Sequence, residues 1–296
     1  MTATALARKA DLTGSVFMIL AMALFAVEDA FIKTAALTLP IGQILILFGA
    51  GGAVVFAVLA RANGCPLYVP DVLSGPMRIR ALFEVTGRLF YTLAIAMIPL
   101  SAATVILQAT PLVVVAGAAV LFKERVDWRR WTAILLGLMG VMIIVKPGTD
   151  AFSVLSLLAV AGMIGFAGRD LASRATPATI NTLLLGFYGF CAVIVAGVGY
   201  AVWEGAAFAR PTPLAAVCLL GAVTAGTVAY ASLMKAMRSG DVSAVTPFRY
   251  TRLLFGIGIG FVLFGERPDL ATWIGSGLIV LSGLFIMWRG KRRATL

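Results

Sequence analysis

Histidine is absent from this chain, cysteine occurs only at Cys65, Cys191 and Cys218 with no CxxC spacing, and charged side chains make up 12% of the residues. Without imidazole or clustered thiols, zinc sites, covalent haem attachment and histidine-based acid–base catalysis have no donors. No serine or cysteine has a recognisable base nearby, so an intramembrane enzyme is not the expected class. No metal, cofactor or catalytic residue is predicted. Equally missing is any long, polar, low-complexity stretch that could form a soluble domain or a disordered tail.

What is present is apolar. Hydrophobic residues reach 61% and mean hydropathy +1.01, against roughly 45–50% apolar and about 25% charged in soluble domains. A spanning helix needs about 20 mostly apolar residues. Ten such segments start near Thr13, Pro40, Ile79, Ala102, Arg130, Ser153, Ile180, Pro213, Val242 and Asp269, joined by short loops. The expected fold class is an all-α integral membrane protein with ten transmembrane helices.

The net charge of +11 would suggest nucleic acid in a soluble protein, but its placement suggests topology instead. With the N-terminus inside, sixteen basic residues, from Arg8 and Lys9 to Arg292 and Arg293, fall at cytoplasmic ends. Only Lys33, Lys146, Arg210 and Arg267 fall outside. Both termini are therefore expected in the cytoplasm, and nucleic acid is not needed as a partner. Arg8 and Lys9 before an apolar run resemble a secretory signal, but that run continues into a stretch that the second half of the chain repeats.

The repeated stretch is FAVEDAFIK, residues 25–33, against FAGRDLASR, residues 166–174. It pairs Phe25/Phe166, Ala26/Ala167, Asp29/Asp170 and Lys33/Arg174 at an offset of 141. Pro40, Gly49 and Gly52 match Pro177, Gly186 and Gly189 at 137, and Ser101, Ala102 and Thr104 match Ser243, Ala244 and Thr246 at 142. Leu121–Arg125 with Asp127 and Trp131 lies on Leu263–Arg267 with Asp269 and Trp273, also at 142. Two repeats, 1–147 and 148–296, follow. An odd number of helices in each means that the second enters the membrane from the opposite face, the inverted-repeat plan of many secondary transporters.

Two five-helix halves, each with an F-x-E-R-x-D-x-x-x-W turn (Glu124–Arg125 and Glu266–Arg267) before a Gly-rich helix, resemble the ten-helix EamA-type members of the drug/metabolite transporter superfamily. Within it the chain is similar to the bacterial aromatic amino-acid exporters. The resemblance implies a bacterial inner-membrane secondary transporter that exports small metabolites, amino acids above all, by alternating access. It implies a central cavity lined by the third, fourth, eighth and ninth helices. The expected partners are a small-molecule substrate and the lipid bilayer, with the chain read as a monomer. Purines, nucleotide sugars and quaternary-amine drugs are the alternative cargoes; a channel or lipid flippase is the alternative class.

Several polar residues within the apolar segments are candidates for substrate binding. Glu84, Arg88 and Tyr91 share one side of the third segment, where the first two could neutralise each other at i, i+4 or meet a substrate. Phe248, Tyr250 and Arg252 follow Pro247 in the ninth, and an arginine near mid-membrane costs about 2.5–3.5 kcal/mol. Gln108 and Tyr230 complete this set. Asp29 and Asp170 are candidates for coupling, with i, i+4 pairing to Lys33 and Arg174 as the structural reading. Pro111 and Pro247 remove backbone donors and predict kinks that expose the carbonyls of Leu107 and Ser243. Gly256-Ile257-Gly258-Ile259-Gly260 has no preceding strand and is read as helix packing, not a dinucleotide loop; Gly221 and Ala225 are read likewise.

Overall fold

The computed structural model describes residues 3–123, 126–147, 153–177, 179–239 and 245–294. Glu124, Arg125, Ser243 and Ala244, all part of matched motifs, lie outside the described residues. The helices are α1 (Ala3–Ala35), α2 (Ile41–Ala62), α3 (Gly75–Met97), α4 (Leu100–Leu107), α5 (Thr110–Leu121), α6 (Trp128–Val145) and α7 (Ser156–Arg174). They continue as α8 (Thr182–Glu204), α9 (Pro213–Ser239), α10 (Thr251–Phe264) and α11 (Leu270–Ala294). Short 3-10 turns occupy Pro70–Leu73 and Thr246–Tyr250. Among the described residues there is no strand.

Among the described residues, eight spans are long and apolar enough to cross a membrane, α4–α5 and the turn–α10 pair counting as one each. With α3 and α7, which carry charged residues among their apolar ones, these are the ten expected segments. The interior is apolar, but large apolar side chains such as Val54, Val195 and Leu220 are exposed while Glu28, Asp29, Arg80 and Glu84 are buried. Apolar side chains facing outward and ionisable ones inward are what a hydrocarbon solvent selects.

The chain packs as two compact units, and neither is a sequence half. The first takes Met1–Val27, Pro99–Ser153 and Val228–Leu296; the second takes Glu28–Ile98 and Val154–Thr227. Within the second, α2 runs antiparallel to α8. A Cβ on Gly42 would lie 2.7 Å from Ala201, one on Gly49 2.8 Å from Ile194, and one on Gly186 2.7 Å from Phe56. In the same unit α3 and α7 pair antiparallel, Gly87 against Phe166 and Gly162 against Tyr91.

Within the first unit, α4 runs antiparallel to α10, and α6 to α11: Gly256 meets Thr104, and Gly140 meets the carbonyl of Gly275. Thus matched segments two and seven, four and nine, and five and ten each associate with their repeat mate in opposite direction, as inverted repeats require. The packing role of the ninth-segment glycines is also visible. Gly256 and Gly260 face α4, with Thr104 and Ser101 beside them, whereas Gly258 faces open space. Small residues that let helix backbones approach supply the association that lipid cannot.

Candidate functional site

In the second unit, α3 carries Arg80, Glu84 and Arg88 one turn apart. Glu84 is bridged by Arg80 Nη2 at 3.3 Å and by Arg169 Nη1 of α7 at 3.3 Å. Arg88 does not pair with Glu84; it forms an ion pair with Glu28 of α1 and lies 4.4 Å over the Phe48 ring. Arg80 Nε also donates to Ser173 Oγ at 3.0 Å. Glu84 is therefore neutralised one turn back by Arg80 of its own helix and across to α7 by Arg169, not one turn on by Arg88.

Tyr91, 1% exposed, donates its hydroxyl to Asp29 Oδ2 at 3.0 Å, and Asp29 itself is fully enclosed. Lys33 Nζ donates to the carbonyls of Ile95 and Ile98 at 2.8 and 2.7 Å. Asp170, the repeat mate of Asp29, is 27% exposed and accepts from its neighbour Arg169 at 2.8 Å. The phenylalanine that opens the repeated stretch serves as a cation platform in both copies. Arg252 lies 5.3 Å over Phe25 in the first unit, and Arg169 lies 4.8 Å over Phe166 in the second. A guanidinium on an aromatic face is partly compensated for the water it loses.

In the first unit the fourth segment is broken, not merely kinked: α4 ends at Leu107 and α5 starts at Thr110, with Pro111 next. The carbonyl of Leu107 that Pro111 frees is taken by the Thr110 hydroxyl at 2.5 Å, so it is not an open ligand for a substrate. Gln108, at the break, donates through Nε2 to the carbonyl of Arg249 at 2.9 Å. Pro247 lies in the 3-10 turn of the ninth segment. The two irregular stretches are therefore tied together, backbone to side chain. Tyr250 is buried with its hydroxyl against Gly283 and without a hydrogen-bond partner. Phe248 remains 37% exposed, and Tyr230 and Arg252 are half-buried.

Two elements of the F-x-E-R-x-D-x-x-x-W turn find a local cause. Asp269 caps α11 by accepting from the Thr272 amide at 2.8 Å, and Asp127 caps α6 by accepting from the Arg130 amide at 2.9 Å. These are N-cap geometries at matched positions. Glu266 accepts from the amides of Leu100 and Ser101 at 2.6 and 2.9 Å. Sequence reasoning did not single out Glu28, Arg169 or Glu266 as candidates. The available signal was the repeat itself, which puts Glu28 opposite Arg169 and places Glu266 in the E-R turn.

The described residues form an all-helical, polytopic architecture with antiparallel repeat mates and enclosed ion pairs, the plan of many secondary transporters. The EamA-like transporter family matches the chain twice, over residues 12–146 and 154–288. The chain belongs to that family and is a transporter of EamA type. Among curated relatives, the riboflavin transporter of Vibrio cholerae is 27% identical over 296 residues, covering 95% of both chains. The pseudopaline exporter of Pseudomonas aeruginosa is 28% identical over 91% of this chain and 94% of its own. An S-adenosylmethionine uptake transporter of Rickettsia bellii is 28% identical over 72% of each. A solved crystal structure, 20% identical, covers 95% of this chain and 98% of its own with a TM-score of 0.63, which shows the shared fold.

Proposed function

We propose that the chain is a secondary transporter moving small metabolites, most specifically aromatic and related amino acids, outward across a bacterial inner membrane by alternating access. The observation that carries the transporter reading is the double match to a transporter family, one match in each half. On this reading residues 1–147 and 148–296 are the two repeats, and both termini face the cytoplasm, as the sixteen-to-four distribution of basic residues favours.

The substrate reading draws support from the first unit. Arg252 on the face of Phe25, with Phe248 still exposed four residues earlier and Tyr230 half-buried, offers a cation for a carboxylate and aromatic surface for a ring. These three are the proposed substrate contacts. Glu84, Arg88, Tyr91, Gln108 and Tyr250 are enclosed or tied to protein partners and are proposed as the frame. Asp29 and Asp170 are retained as coupling candidates, and Pro111 and Pro247 as gating positions.

A second reading follows from the relatives, whose names specify S-adenosylmethionine, riboflavin and pseudopaline, with uptake and export both represented. Counterflow into proteoliposomes loaded in turn with phenylalanine, tyrosine, leucine, S-adenosylmethionine and riboflavin decides between them. Exchange of the aromatic amino acids supports the first reading; exchange confined to another compound replaces it. Repeating the assay with a proton gradient on Asp29→Asn tests coupling, and reporter fusions at each terminus test orientation.

A further inference from the structure

The chain passes from the second unit to the first between Ile98 and Pro99. At that point α3 has ended and α4 has not begun. Ile98 is extended at φ −123° and ψ 168°, its amide still bound to the Ala94 carbonyl at 2.8 Å. Pro99 is extended at φ −54° and ψ 134°, offers no amide, and is exposed. A helix end leaves backbone groups without intrahelical partners, carbonyls at the C-terminus and amides at the N-terminus. Neither is left to solvent here.

On the α3 side, Lys33 Nζ takes the carbonyls of Ile95 and Ile98 at 2.8 and 2.7 Å. On the α4 side, the Glu266 carboxylate takes the amides of Leu100 and Ser101 at 2.6 and 2.9 Å. Pro99 as the N-cap supplies no side-chain bond of its own. Gly260 makes room for the carboxylate, since a Cβ there would lie 2.6 Å from Oε2. Each charge has the sign that its helix end attracts, a cation at the carbonyl end and an anion at the amide end. Each also belongs to the unit whose helix it holds: Lys33 to the second, Glu266 to the first.

We infer that Lys33 and Glu266 are positioning residues for the transport movement: by fixing the last turn of α3 and the first turn of α4, they confine bending between these helices to the single Ile98–Pro99 linkage. The proposal rests on the carrier reading for its purpose but not for its geometry. A one-residue joint between two clamped ends turns a change of direction at Pro99 into movement of whole helices. Frayed ends would absorb the same change locally, within one turn on either side.

The test uses the full chain in lipid nanodiscs without substrate, read by amide hydrogen exchange. Glu266→Gln should speed exchange of the Leu100 and Ser101 amides by about tenfold and leave Ile98 unchanged, whereas Lys33→Gln should do the reverse. If either variant loosens both sides, or neither, the separate clamps do not exist. Lys33→Arg, which keeps a cationic donor, should behave as wild type; if Glu266→Gln fails to fold, Glu266→Asp, too short to reach both amides, is read instead. In proteoliposomes carrying whichever compound of the panel the wild type exchanges, each loosened variant should lose about tenfold in maximal rate with KM within about twofold, and Lys33→Arg should recover it. Loosened amides with an unchanged rate would overturn the positioning role. A wild type that moves none of the panel sinks the carrier's substrate reading, and the exchange pattern still decides the clamps.

Discussion

The two copies of the repeated stretch keep the sign of charge at two positions, Asp29/Asp170 and Lys33/Arg174, and reverse it at a third. Position 28 is Glu and its mate at 169 is Arg; the first pairs with Arg88 of α3 and the second with Glu84, one turn away. Position 29 is a fully enclosed Asp held by Tyr91, while its mate Asp170 is 27% exposed beside Arg169. The two copies thus carry charge at the same positions, with its sign exchanged at 28 and 169. The exchange lets one helix, α3, satisfy both copies with an acid and a base of its own. It also leaves one pairing dry and the other partly wet.

The largest expected effect breaks the dry side. Arg88→Met takes the ion-pair partner from Glu28, whose side chain is 2% exposed, and loss of one partner of a buried pair costs about 3–5 kcal/mol. Monodisperse yield and thermal stability in detergent should fall sharply. Adding Glu28→Gln should restore most of the loss, because the buried charge goes with it. Equal damage in the single and double variants would mean that Arg88 acts through something other than Glu28.

A smaller effect is expected across α3. Glu84→Gln keeps one acceptor, Arg80 keeps Ser173, and Arg169 keeps Asp170, so the loss should be about 1.5–3 kcal/mol, the range for hydrogen bonds to charged groups. A Glu84 variant as damaging as Arg88→Met would erase the distinction between the dry and wet sides. Below that, Tyr91→Phe removes the donor to enclosed Asp29 and should cost about 1–2 kcal/mol. Asp170→Asn, at the half-open mate, should cost under about 1 kcal/mol. Thermal shift on the two purified variants ranks them, and the reverse order would contradict the burial contrast.

The fold was legible because its signals are local or periodic: apolar segments of spanning length, matched Gly positions and two copies of one turn motif. Starts read near Pro40, Pro213 and Asp269 lie within one residue of Ile41, Pro213 and Leu270. The candidate site was legible in its residue types and poorly in its pairing. The i, i+4 rule offers Glu84 both Arg80 and Arg88; Arg80 takes it, but Arg88 pairs with Glu28, 60 residues away, and Arg169 reaches Glu84 across 85. Such choices depend on which helices abut, and no spacing within a segment encodes that. Pro111 announced a freed carbonyl at Leu107; that Thr110 three residues on would fill it is a local event that Ser/Thr back-bonding allowed but did not require.

The least effect is expected where one of two matched carboxylates has an exposed ion-pair partner. Asp127 and Asp269 both cap the helix that follows them, but Asp269 also binds Lys146, the left-handed residue that closes α6. The Lys146 hydrogen bond, then those from the Thr272 side chain and backbone, hold the Asp269 carboxyl at a pKa of about 2, below its ordinary 3.8, against a small opposing effect of burial. Because the folded value is the lower one, the stabilisation is fully present above the ordinary value and is lost as pH falls from 3.8 toward 2. Asp269 is 48% exposed in its side chain, so solvent and salt screen the pair and the effect should be slight. The melting temperature of Lys146→Gln should therefore sit a little below wild type at pH 6 and converge with it near pH 2, with the gap narrowing as salt is added. A gap that persists at pH 2 would mean that Lys146 stabilises the α6 end by capping alone, and that the two copies of the turn differ in packing, not in charge.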